Sequence, residues 1–297
     1  MPVSIDDLLR KTSRTFALAI PLLPEPTKRS TSLAYLLFRI ADTLEDAELW
    51  TRPARATALD AFSALLGDSN EATAAERSRQ WLVHPPTKNE SCLELLGAMP
   101  EVLGEVARLE PSAQAILFRH AKRTAEGMRA TVTTMDEAGG LRLGSIAELR
   151  AYCYIVAGIV GELLTELFLH DAPSLESVRG TLLEHQAAFG EGLQLVNILK
   201  DQSADAADGR AYLPAAVPRS EVFTLAREDM ARARAYIGAL ERGRAPLGFV
   251  AFTTLSADLA DATLDRVELD GAGAKVPRSA VMQMLARITE RISAPRP

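Results

Sequence analysis

Nowhere in this chain do apolar and polar residues alternate with the period of two that a half-buried strand requires. Apolar residues instead recur at steps of three and four, as in Leu33, Leu36, Leu37 and Ile40. That spacing lines one face of an α-helix. The composition agrees, with 48 Ala and 42 Leu among 297 residues, both strong helix formers. The expected fold class is all-α. No fixed-period repeat and no low-complexity linker divides the chain, so residues 1–297 are expected to form a single helical domain.

Start and stop signals place the helices. Ser4 with Asp6 and Asp7 predicts a helix running to about Ala19 and stopped by Pro21 and Pro24. Others are predicted from Thr27 to about Asp46, Pro53 to Leu66, Glu71 to Trp81, Ser91 to Ala98 and Glu101 to Leu109. Pro111 opens a long one to about Thr133. Ser145 and Glu148 form a capping box that opens a helix to about Leu169. Further helices are expected over Ser174–Asp201, Arg219–Arg242, Leu247–Leu264 and Arg278–Ile292. The polar stretch Gln202 to Arg210, ending in Asp208-Gly209, reads as a loop.

Lys and Arg total 33 against 39 Asp and Glu, a net charge of −6. That argues against nucleic-acid binding. Two cysteines, Cys92 and Cys153, rule out a disulfide scaffold and a cysteine zinc site, and are expected to be reduced packing residues. The longest apolar run, Tyr152 to Gly161, is about half of a membrane span. The chain is therefore expected to be cytoplasmic. The four histidines fall at no ligand spacing, and no glycine-rich nucleotide loop is present.

Two polar stripes carry the chemistry. Tyr35, Arg39, Asp42 and Asp46 share one helix face. Two carboxylates four residues apart suit Mg²⁺, which takes one or two carboxylates and fills its shell with water and phosphate oxygens. A solvated helix end would show the same residues. The second stripe, Gln194, Asn197, Asp201 and Asp205, runs along a helix that is otherwise apolar. A polar stripe in apolar surroundings costs free energy unless each group is satisfied, so a bland surface reading fits it less well. Stripes on separate helices can face each other across a central apolar bundle cavity. Mg²⁺ there would offset repulsion between an acidic protein and a diphosphate, and would stabilise that diphosphate as it leaves. The residues thus point to an enzyme that ionises an allylic diphosphate. Three smaller signals join these. Ser13, Arg14, Thr15 and Phe16 could bind phosphate oxygens or merely cap a helix. Tyr152 opens a segment in which Ala157, Gly161 and Thr165 make a small-residue face, suited to close helix approach or to cavity space. Arg210 and Tyr212 lie in Gly209–Pro214, which is an ordinary turn or a cover for a site.

Taken in order, these motifs resemble the squalene/phytoene synthase family of head-to-head prenyl synthases over roughly residues 8 to 265. Ser13–Ala17 with Leu22-Leu23-Pro24 resembles the family's opening, and Asp42-Thr43-Leu44-Glu45-Asp46 its first aspartate-rich motif, in a form nearer to squalene synthases. Gly127-Met128 fits the helix that follows. Tyr152–Gly161 resembles the tyrosine-cysteine signature. Gln194, Asn197, Asp201 and Asp205 resemble the second aspartate-rich motif, and Gly209–Pro214 its sequel. Lys200 stands where the family usually has Arg, keeping the charge without the bidentate fork, and Ala204 replaces a common Glu. From the polar Ser293 to Pro297, no hydrophobic C-terminal anchor like that of eukaryotic squalene synthases is expected.

The resemblance implies an isoprenoid-synthase helical bundle and a prenyltransferase. Two farnesyl diphosphates (or geranylgeranyl diphosphates) would condense through presqualene diphosphate. NADPH would give squalene; without reductant the product would be of the dehydrosqualene or phytoene type, or presqualene diphosphate itself. The resemblance assigns metal (Mg²⁺, or Mn²⁺ in its place) to Asp42, Asp46, Asn197, Asp201 and Asp205, and cation stabilisation or proton transfer to Tyr152. Ser13, Arg14, Thr15, Phe16, Tyr35, Arg39, Gln194, Lys200, Arg210 and Tyr212 would line the substrate site. An insoluble product implies peripheral membrane contact at most. A terpene cyclase and a non-catalytic helical relative are the rival readings.

Overall fold

The computed structural model describes residues 4–13, 15–67, 70–136 and 140–293, and among these no strand forms. Two compact units emerge: Met1–Ala17 with Pro26–Gly139, and Leu18–Glu25 with Gly140–Pro297.

In the first unit, α1 (Ile5–Thr12) starts where Ser4 Oγ accepts from Asp7 N. It ends seven residues before the expected Ala19, because Ser13 turns to extended backbone; α2 (Phe16–Ala19) follows, its last two residues and the 3₁₀ turn over Ile20–Leu22 being counted with the second unit. α3 (Thr27–Glu45) is the core helix, with Leu33, Leu36, Leu37, Ile40 and Leu44 wholly buried. It packs on α8 (Pro111–Thr134), and both pack on α4 (Arg52–Leu65). α5 (Glu71–Val83), α6 (Glu90–Gly97) and α7 (Met99–Ala107) are short. Asn70 and Asn89 cap α5 and α6, each side-chain oxygen accepting from two backbone N–H groups that the helix start leaves unpaired.

In the second unit Ser145 caps α9 (Ile146–Cys153), and Glu148 reaches back to the Gly144 N–H. The helix does not run on as plain α: Tyr154–Gly158 form a π turn, with the Ile159 N–H donating to the Tyr154 carbonyl, before α10 (Ile159–Asp171). α11 (Arg179–Ala207) is the spine and touches α10, α12 (Arg219–Arg242) and α13 (Leu247–Asp270); α14 (Arg278–Ser293) lies on α13. α11 continues six residues past the expected Asp201, because Ala204, Ala206 and Ala207 favour helix and the first breaker is Gly209, at φ +78°.

The small-residue face serves close approach. A Cβ on Gly161 would stand 1.9 Å from the Gln186 carbonyl oxygen, and one on Gly190 1.9 Å from that of Ala157. Phe168 stacks on Phe249 at 4.1 Å. The stretch Ile146–Asp171 and α13 are long and apolar enough to cross a membrane by length and composition, which the longest apolar run alone does not reveal. More than half of each apolar window is buried inside the protein, 56% and 67%, as in core helices.

Candidate functional site

α3 is buried on nearly every side. From Leu33 to Asp46 every residue is buried except Tyr35, Arg39, Asp42 and Asp46, which are the members of the first stripe. Burial raises the Tyr35 hydroxyl above its ordinary pKa; that hydroxyl donates to the Thr12 carbonyl at 2.7 Å. Phe16 lies against the Tyr35 ring at 5.8 Å, and its N–H donates to Ser13 Oγ. Ser13 and Phe16 are thus drawn to the stripe. Thr15 is exposed, and Arg14 lies outside the described residues.

Arg39 Nη1 is 3.7 Å from Asp42 Oδ2, and Nη2 donates to Cys92 Sγ at 3.5 Å. Burial pulls the Arg39 guanidinium down, but Asp42, Cys92 and Tyr35 together hold it above its ordinary value. Arg39 Nε is buried with no hydrogen-bond partner. The Asp42 carboxyl is pushed up to about 7, first by burial and then by the Asp46 charge, with Arg39 opposing. Water still reaches 37% of the Asp42 side chain, so the effect on stability is screened. A cation would relieve this acid pair.

α11 repeats the pattern in the second unit. From Ala188 to Leu199 every residue is buried except Leu193, Gln194 and Asn197. Lys200 Nζ donates to Asn197 Oδ1 at 3.3 Å and lies 3.1 Å from Asp201 Oδ2. Arg210 Nη2 is 3.8 Å from Asp205 Oδ1 and 3.0 Å from Asp208 Oδ2, and the Arg210 N–H donates to the Asp205 carbonyl. Arg210 therefore folds back over the helix end. Ala211 exchanges backbone hydrogen bonds with Leu141 and Leu143, which pins the segment carrying Tyr212. The Tyr152 hydroxyl donates to that of Tyr212 at 3.2 Å, the rings stacked at 4.9 Å and both buried.

Among the described residues, no three His, Cys, Asp or Glu side chains form a ready-made cage for one ion. Each stripe offers carboxylates four apart, all hard oxygen donors, which fits Mg²⁺ sharing its shell with water and phosphate oxygens.

The sequence gives no warning of one cluster. Arg150 Nη2 on α9 is 3.4 Å from Glu191 Oε2 on α11 and 3.7 Å from Asp229 Oδ1 on α12, and Arg232 Nη1 is 3.2 Å from the same Asp229 oxygen. Its partners lie about forty residues apart in sequence, beyond the reach of spacing rules. The one available signal is that Glu191 sits a turn before Gln194, in phase with the second stripe.

A family model described as squalene/phytoene synthase matches residues 9–221. The squalene synthase of Eremothecium gossypii is 28% identical over 228 residues, 75% of this chain and 47% of that protein. The squalene synthase of Yarrowia lipolytica is 30% identical over 217 residues, 70% of this chain and 44% of its own length. The chain thus spans under half the length of these curated relatives. A solved ligand complex of TcSQS superposes with a TM-score of 0.73 at 23% identity, covering 99% of this chain and 91% of that one; at that identity the likeness shows the fold.

Proposed function

This chain belongs to the squalene/phytoene synthase family, and from that premise we propose that it condenses two farnesyl diphosphates head to head through presqualene diphosphate to squalene. The observation that carries the reading is the exposure pattern of α3: past Lys28 and Arg29 in its first turn, a helix buried almost all round from Leu33 onward opens only at Tyr35, Arg39, Asp42 and, at its C-cap, Asp46. A core helix that spends its one open stripe on an arginine and two carboxylates is built to meet a charged ligand, not to fill a core.

Asp42 and Asp46 on α3, and Asn197, Asp201 and Asp205 on α11, would hold Mg²⁺. When bound, the metal neutralises diphosphate charge and makes it a better leaving group. Arg39, Lys200 and Arg210 bind diphosphate oxygens; Ser13, Arg14, Thr15 and Gln194 supply further polar contacts, and Phe16 and Tyr35 an aromatic wall. The Tyr152 hydroxyl proton is directed at Tyr212. Tyr152 would stabilise an allylic cation or take up a departing proton through its hydroxyl oxygen. The central apolar cavity expected of the fold would take the prenyl chains, and peripheral membrane contact would suit the release of an insoluble product.

The test is product analysis with farnesyl diphosphate and Mg²⁺, with and without NADPH. Squalene formed only with NADPH is the expected result. A dehydrosqualene-type product, or presqualene diphosphate alone, would keep the condensation and remove the reductive step. No consumption of farnesyl or geranylgeranyl diphosphate would overturn the reading.

A further inference from the structure

Arg150, Glu191 and Asp229 come from three helices of the second unit and meet below its surface. The Asp229 side chain is 0% exposed and that of Glu191 9%. Asp229 Oδ2 is buried with no hydrogen-bond partner. Two arginines, Arg150 and Arg232, both reach its other oxygen. As a source of stability this is a poor arrangement: burial disfavours both carboxylates, and an orphaned oxygen leaves part of that cost unrecovered. Such a cluster does, however, fix the helices that bear it in one register.

The register matters because of what lies beside each charge. Arg150 is two residues before Tyr152 on α9, and Glu191 is one turn before Gln194 on α11. Between α9 and α10 lies the π turn, a rare form that often marks functional sites. Beyond that turn the backbone contact at Gly161 locks α10 sterically on α11, and the contact of Gly190 with Ala157 seats the turn itself. Before it, the Arg150 ion pairs tie α9 to α11 and α12.

We propose that Arg150, acting through Asp229 and Glu191, is a positioning residue that holds Tyr152 in the orientation the reaction needs. The proposal rests on the role given above to Tyr152. Arg150→Met keeps the length and apolar stem of the side chain and removes its charge. In the full chain with farnesyl diphosphate and Mg²⁺, it should lower kcat by about 10- to 100-fold, the scale of a small misplacement of a catalytic group. KM should stay within about twofold, because substrate binding is untouched. Arg150→Lys, which restores the charge, should recover most of the loss. Asp229→Asn keeps the shape, is expected to show the same fall in kcat, and carries the test should Arg150→Met fail to fold. A parental kcat in the folded variants, or a raised KM at unchanged kcat, would overturn the proposal.

Hydrogen exchange supplies a readout independent of turnover. In the ligand-free chain Arg150→Met should speed exchange of the amides of 150–158 about tenfold while those of α8 stay as they are. Unchanged exchange at 150–158 also overturns the proposal. If the parent chain consumes no prenyl diphosphate, the functional reading falls by itself, and exchange still decides whether Arg150 anchors α9.

Discussion

The first stripe leaves α3 between residues that are wholly buried, with Leu36, Leu37, Ile40 and Leu44 fixing the helix on every other face. The second stripe leaves α11 where the helix is losing its cover: Asp201 and Asp205 are flanked by Gln202, Ser203 and Ala204, all exposed. The first pair of carboxylates is placed by core packing. The second is placed by local charges, Lys200 on one side and Arg210 on the other. Two solutions to one problem follow. Packing positions a carboxylate rigidly but desolvates it, as the raised Asp42 carboxyl records. Ion pairs hold a carboxylate less firmly; Asp201 beside Lys200 stays 47% exposed, while Asp205 beneath Arg210 is 18% exposed.

If both stripes serve one reaction, each should be indispensable despite this difference. Asp42→Ala and Asp201→Ala are each expected to cut product formation by about a thousandfold or more, the worth of a lost metal-ligand function. Circular dichroism should keep the helical signal in both. Near-parental turnover in one of them would break the equivalence of the two regions.

The next effect separates the units by packing. Gly161→Ala or Gly190→Ala should destabilise the second unit by about 3 kcal/mol or more, since its Cβ would overlap a backbone carbonyl. Gly104→Ala on α7, where a Cβ would meet nothing within 4 Å, should stabilise the first unit by about 0.5–1 kcal/mol. Urea unfolding measures both.

A smaller effect concerns pH. Burial, partly opposed by Arg150, raises the Glu191 and Asp229 carboxyls above their ordinary values of 4.5 and 3.8. The folded chain then binds those protons more tightly than the unfolded chain, so their contribution is fully present below the ordinary values and is lost as pH rises through the raised ones. Unfolding free energy should fall over that window, and Asp229→Asn should flatten the fall. A parallel pH profile for the variant would count against a raised Asp229. Asn89→Ala should cost about 1 kcal/mol through the lost cap of α6, with turnover unchanged in the product assay.

Much of this was legible in the sequence because it is local. The apolar rhythm of Leu33 to Leu44 locates α3, and the capping box at Ser145 locates α9. Tyr35, Arg39, Asp42 and Asp46 fall on the open face of a stretch otherwise buried, as do Gln194 and Asn197 with Leu193 between Ala188 and Leu199, whereas Asp201 and Asp205 lie where α11 is exposed on several sides. What could not be read is non-local or geometric. The Cys92 thiol against Arg39, the Tyr152–Tyr212 pair and the Arg150 cluster all join residues from separate elements. The extension of α11 to Ala207 turned on alanine propensity outweighing polar neighbours, and the break after Thr12 on a single extended residue, Ser13.

The π turn at Tyr154–Gly158 has a consequence for how this chain can change over generations. It accommodates one residue more than an α-helix would between the same two ends. Deleting a single residue there would give back an ordinary helix between the same two ends and leave α9 on its face, whereas a deletion within α10 would turn α9 by about 100° about its axis, one residue's worth of helical rotation. Only that second deletion would turn Tyr152 and Arg150 away from their partners together. The turn can therefore lose a residue without turning α9, whereas Gly158 within it resists substitution, since a Cβ there would stand 2.7 Å from the Tyr154 ring.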